Sequence, residues 1–152
     1  MKFLFLASWV ILLVLSAFIA LASVGSLIQG YSKSDETISR DYSTVQMKEQ
    51  GGDEAFKAFK ARRVTAATWA LAYALLAIAV TLVPYRRGEQ WAWWALFVAI
   101  GLSQILSMAR AITVGTTTGA GTAGVLLAFT LLGLMAGAPR MFGNKVAAAR
   151  GE

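Results

Sequence analysis

Ser103, Gln104 and Ser107, well inside one apolar run of this 152-residue chain, form a polar cluster with Arg110 at the end of that run. Spacings of i+4 and i+3 place Ser103, Ser107 and Arg110 on one face of a helix, with Gln104 at its border. Hydroxyl, amide and guanidinium groups so arranged can hold a lipid, a quinone or another small apolar molecule by hydrogen bonds. The simpler reading of the same residues is interhelical bonding, worth about 0.6 kcal/mol per bond on average inside a membrane. Ser16, Tyr73, Thr81 and Thr130 are the polar residues of other runs that could serve as partners.

Much other chemistry is excluded by composition. The chain has no cysteine and no histidine. It therefore has no disulfide, thiolate nucleophile, ordinary zinc site or imidazole base. No acidic residue lies inside any apolar run, so the usual carboxylate of a proton- or cation-coupled transporter is missing. An enzyme would have to rely on loop carboxylates such as Asp35, Asp41 or Glu54. We assign no catalytic, cofactor-binding or metal-ligating residue and expect no cofactor. The net charge of +6 is spread over loops and tails, which suits anionic lipid headgroups, and no nucleic-acid motif is present.

The elements that position these residues follow from charge-free stretches. Residues 3–32, 64–85, 90–109 and 111–139 carry no charge, and each is long enough to cross a hydrocarbon core that takes about 20 apolar residues as helix. The expected fold class is all-α integral membrane: a single four-transmembrane-helix bundle with one 35-residue amphipathic extramembrane loop between helices 1 and 2. The spans are expected at 3–28, 64–85, 90–110 and 117–138, with the loop at 29–63. Ala20-Leu21-Ala22 has the form of a signal cleavage site. The apolar run around it exceeds the roughly 7–15 residues of a signal core, so a retained helix is expected.

Within the loop, Ile38, Tyr42 and Val45 recur at helical spacing and suggest a short helix. Gly51-Gly52 then breaks the chain, and Asp53 is a plausible N-cap for an interfacial helix over 53–63. Its cations Lys57, Lys60, Arg62 and Arg63 would meet lipid headgroups, as would Arg86 and Arg87 after the second span. Trp91, Trp93 and Trp94 beside that turn read as an interfacial aromatic cluster. Ala66, Ala70 and Ala74 at four-residue spacing, and Gly133 with Gly137, are candidate close-packing positions. Residues 119–124 spell the dinucleotide pattern G-x-G-x-x-G, but no strand precedes them and no acid follows at the required distance, so they read as the entry to span four.

The charges flanking the spans conflict over orientation. Lys2, Arg86, Arg87, Arg140, Lys145 and Arg150 share one side, while Lys33, Arg40, Lys48, Lys57, Lys60, Arg62, Arg63 and Arg110 share the other. The aromatic turn and the Pro-Arg span ends favour cytoplasmic termini, in a bacterial plasma membrane. The outline of four spans with a long first loop is similar to that of the integral-membrane glutathione transferases. Their Arg/Asn/Glu loop signature is absent, Asn144 being the only asparagine. A small non-catalytic accessory or scaffold subunit, packed against a larger membrane protein complex, is the expected function, with membrane lipids and other subunits as partners. The alternatives are a binding protein or transporter for an apolar molecule near Gln104 and Arg110, and a membrane enzyme.

Overall fold

The computed structural model describes residues 2–32, 37–39, 42–113 and 119–149, with side chains for 3–32, 43–110, 113 and 119–143. Lys33, Asp35, Arg40, Asp41, Arg150 and the expected start of span four at 117 lie outside them, as do the side chains of Lys2, Ile38, Tyr42 and Lys145. The described chain is almost entirely helical. Helix α1 spans Lys2–Tyr31, and α2 spans Thr44–Val80 and continues as a π-helical turn, Thr81–Tyr85. Helix α3 (Gln90–Leu96) passes through a second π-helical segment, Phe97–Leu102, into α4 (Ser103–Thr113), and α5 spans Ala120–Ala149. Four stretches are long and apolar enough to cross a membrane: Phe3–Tyr31, Thr44–Tyr85, Gln90–Arg110 and Ala120–Gly143.

The segment between the first two long helices differs from the sequence expectation. Thr37–Ser39 (β1) and Tyr42–Ser43 (β2) form a small antiparallel hairpin where Ile38 and Tyr42 suggested a helix. The helix starts later because Ser43 and Gln46 cap it reciprocally. The Ser43 N–H donates to Gln46 Oε1 at 2.9 Å, and the Gln46 N–H donates to Ser43 Oγ at 3.3 Å. Gly52, at φ 72° and ψ 179°, then separates 44–51 from 53–80, a conformation that side-chain-bearing residues avoid. Lys48 and Asp53 pair across this break at 3.4 Å. Beyond it the helix runs without interruption past Arg63 into the apolar stretch, so 53–63 is the first part of a long helix. Nothing between 53 and 80 is glycine or proline, and helix propagation then has no reason to stop.

The chain divides into two compact units, Met1–Phe18 with Ala74–Glu152, and Ile19–Tyr73. In the second, the C-terminal part of α1 lies against α2. Gly30 faces Val64 closely enough that a Cβ built on it would stand 2.6 Å from Val64 Cγ2. Lys60 is buried, and its Nζ donates to the carbonyls of Gln29 at 3.0 Å and Ser32 at 3.3 Å. A cation on the last carbonyls of a helix satisfies orphan acceptors and complements the dipole. Arg63 adds a bond to the Gln29 side-chain oxygen.

In the first unit the core is a polar knot wrapped in aliphatic side chains. Tyr85 is fully buried, and its hydroxyl meets Ser8 Oγ at 2.5 Å. Ser8 Oγ also bonds the Gly133 carbonyl at 2.7 Å. Gly133 lies under Leu12, and a Cβ on Gly137 would collide with the Tyr85 hydroxyl and stand 2.6 Å from Ser8 Oγ. These two glycines therefore allow α5 to approach both α1 and the end of α2. Pro84 lacks an N–H and its ring displaces the carbonyl four residues back; the widened turn at Thr81–Tyr85 absorbs both defects and delivers Tyr85 to the knot. Phe5 stacks on Tyr85 with centroids 5.7 Å apart, Arg140 lies 4.0 Å over Phe5, and Arg86 lies 4.8 Å over Trp9.

Candidate functional site

Of the sequence-selected polar cluster, Gln104, Ser107 and Arg110 line a groove of about 540 Å³ between α4 and the start of α5. Leu106, Gly119, Thr122, Ala123 and Leu126 complete it. Ser103 is not part of the lining; its hydroxyl bonds the Ile100 carbonyl at 2.7 Å. Ser107 bonds the Ser103 carbonyl at 2.8 Å. Helix α5 begins with the Ala123 N–H on the Gly119 carbonyl at 2.9 Å, so the backbone N–H groups of 120–122 have no partner within their own helix. The Arg110 guanidinium flanks this helix start: its Nη2 would stand 3.9 Å from a Cβ on Gly119. The lining thus joins one cation, the positive end of a helix dipole and polar side chains, with no acid among them.

The expected interhelical partners of Gln104 do not reach it. Ser16, Thr81 and Thr130 each bond the carbonyl four residues back in their own helix, those of Leu12, Ala77 and Leu126, at 2.7–2.8 Å. Ser and Thr hydroxyls have this local option, and sequence does not reveal that they take it. Among the described residues neither Gln104 nor Thr122 makes a side-chain hydrogen bond. Beside the groove, Val10, Ile11, Val14, Leu15 and Phe18 of α1 face Val125, Leu126 and Phe129 of α5 across an apolar cleft of about 400 Å³. Leu126 lines both.

The remaining selected residues divide by helical phase. Ala66 is exposed, Ala70 half-buried and Ala74 buried; the inward row is Ala67, Ala74 and Ala77. With 3.6 residues per turn, a four-residue stripe winds about 40° around the helix at each step and leaves the contact face. The interface cations are similarly divided. Lys57, Arg62, Arg86 and Arg87 are exposed, Lys57 pairing with Glu54 at 2.9 Å. Lys60 and Arg63 turn onto the end of α1, to the carbonyl and the side-chain oxygen of Gln29. Trp91 and Trp94, three residues apart, are exposed. Trp93 points the opposite way and donates its indole N–H to the Leu134 carbonyl at 2.8 Å, between Phe97 and Phe142.

Sequence reasoning missed Ser8 and the inward roles of Trp93 and of Tyr85, which it grouped with the interfacial aromatics, because a lone Ser in an apolar helix and a Tyr at a span end carry no periodic signal. It also passed over Trp69 and took Tyr73 only as a polar partner for Gln104, whereas the two form an outward pair on α2. Trp69 and Tyr73 are 61% and 56% exposed, with rings 6.5 Å apart, and neither polar ring group has a hydrogen bond among the described residues. The chain matches no protein-family model, no curated protein and no solved structure.

Proposed function

We propose that this chain is a non-catalytic subunit of a membrane complex, inserted through its four long helices and docked on its partner by the outward face of α2. Trp69 and Tyr73 carry the reading. Tyr73 stands nine residues beyond Val64, about 14 Å along the helix axis at about 1.5 Å per residue, close to the middle of an apolar stretch that ends at Tyr85. Aromatic residues with polar tips gather at the two ends of a membrane span, where the tip stays wet. An unpaired hydroxyl in hydrocarbon costs about 4–8 kcal/mol on a water-to-alkane scale, so a phenol at this depth calls for an acceptor from another chain. The neighbouring hydroxyls need none, since Thr65 and Thr68 bond the carbonyls of Ala61 and Val64 at 3.0 and 2.9 Å. Exposed Thr65, Ala66 and Ala72 lie on the same face and would let a partner helix approach closely.

Both termini are assigned to the cytoplasm of a bacterial plasma membrane. Support comes from Arg86 and Arg140, which lie on aromatic rings at the end of the first unit where α1 begins, with Arg87 exposed beside them. The subunit reading is tested by extraction from the native membrane in mild detergent. A stoichiometric second polypeptide should accompany the wild type and be lost from Tyr73→Leu and Trp69→Ala. A well-behaved lone monomer, or a partner retained by both variants, overturns it.

A further inference from the structure

The groove between α4 and α5 has features of a ligand site that the subunit reading does not use. Its mouth holds the Arg110 guanidinium and the backbone N–H groups that open α5 and have no partner within that helix, both favourable to an anion. One to two turns deeper, Gln104 and Thr122 line it as polar side chains without an internal partner. Beyond Leu126 the surroundings become wholly apolar, in the cleft between α1 and α5. The order from Arg110 at the end of an apolar helix to Phe129 well inside another is cation, then neutral polar groups, then hydrocarbon. An anionic glycerophospholipid presents the complementary order of phosphate, ester and acyl chain.

We infer that this groove and cleft together bind one anionic phospholipid, its phosphate on Arg110 and the start of α5, its ester oxygens near Gln104 and Thr122, and one acyl chain along Val14, Phe18 and Phe129. The cleft opens outward, since Val10, Val14, Phe18, Val125 and Phe129 are all exposed, so a lipid enters sideways from the bilayer and no internal cavity has to open. Binding needs only membrane insertion and is independent of any partner on α2.

The test uses the full chain in phosphatidylcholine nanodiscs doped with phosphatidylglycerol, then released into detergent and weighed as intact complexes. Wild type should retain phosphatidylglycerol over phosphatidylcholine by about fivefold, the gain of one cation facing an anionic lipid. Arg110→Gln should lose the preference and Arg110→Lys should keep it, while Lys48→Gln, on the exposed ion pair with Asp53, should leave it unchanged. A second arm needs no variant: dioleoyl phosphatidylglycerol should be retained at least tenfold better than the dihexanoyl form. At about 0.8 kcal/mol each, two further methylenes in the cleft already reach that ratio. Equal retention of the two headgroups, a preference that survives Arg110→Gln, or no dependence on chain length overturns the inference. Displacement of the lipid by inorganic phosphate at matching concentration would mark a site for a free anion and overturns it as well.

Discussion

Substituting Gly137 by alanine tests whether the Ser8–Tyr85–Gly133 knot sets the approach of α5. In a loosely packed helix the change should stabilise, because alanine exceeds glycine in helix propensity by about 0.8–1.0 kcal/mol. Here the new methyl falls onto the Tyr85 hydroxyl and 2.6 Å from Ser8 Oγ, and both side chains are fully buried. Neither can move without breaking the 2.5 Å bond between them or the 2.7 Å bond to the Gly133 carbonyl. Overpacking of this kind costs about 1–3 kcal/mol. Tyr85→Phe alone removes one interhelical hydrogen bond, for about 0.6–1.7 kcal/mol. The two changes should not add, because the phenolic oxygen is the atom the methyl meets first; the next ring atom, Cζ, lies at 3.0 Å. The double variant should therefore be more stable than the sum of the single changes predicts, by about 1 kcal/mol, a coupling typical of contacting residues. Reversible unfolding in mixed micelles titrated with sodium dodecyl sulfate measures all four species. A neutral or stabilising Gly137→Ala, or a strictly additive cycle, would refute the packing argument.

Two further outcomes follow from the same contacts. Lys60→Met should keep the aliphatic stem but leave the carbonyls of Gln29 and Ser32 without their charged donor, costing about 1–2 kcal/mol. Amide exchange should accelerate at the end of α1 and not in its middle, and unchanged protection there would discount the cap. Because the chain has no native cysteine, orientation can be read from single substitutions. A thiol at Arg87→Cys should escape membrane-impermeant maleimide in intact cells and react in inverted vesicles, with Gln50→Cys showing the reverse; the opposite pattern would place the termini outside.

The four long helices were legible in the sequence because each contains a charge-free run; of the polar face expected from Ser103, Ser107 and Arg110 with Gln104 at its border, the groove takes Gln104, Ser107 and Arg110 and leaves Ser103 aside. The loop was harder to read. Ile38, Tyr42 and Val45 fit a helical period, yet the capping pair Ser43 and Gln46 starts the helix only at Thr44. That pair matches the S-x-x-Q signature and was available to sequence reading. The phase of the alanines on α2 and of the tryptophans on α3 was not, since a row of small or aromatic residues does not indicate which neighbour it faces.

Hydropathy and backbone hydrogen bonding were enough to determine from sequence that the chain forms long apolar helices, because in hydrocarbon a helix satisfies every backbone group locally. Which face of each helix turns inward was decided only by tertiary structure. Lipid and protein interior are equally apolar, so burial leaves no strong compositional trace, and the choice rests on a few close contacts: Tyr85 on Ser8, Gly137 beneath both, Lys60 on the end of α1 and Trp93 on Leu134.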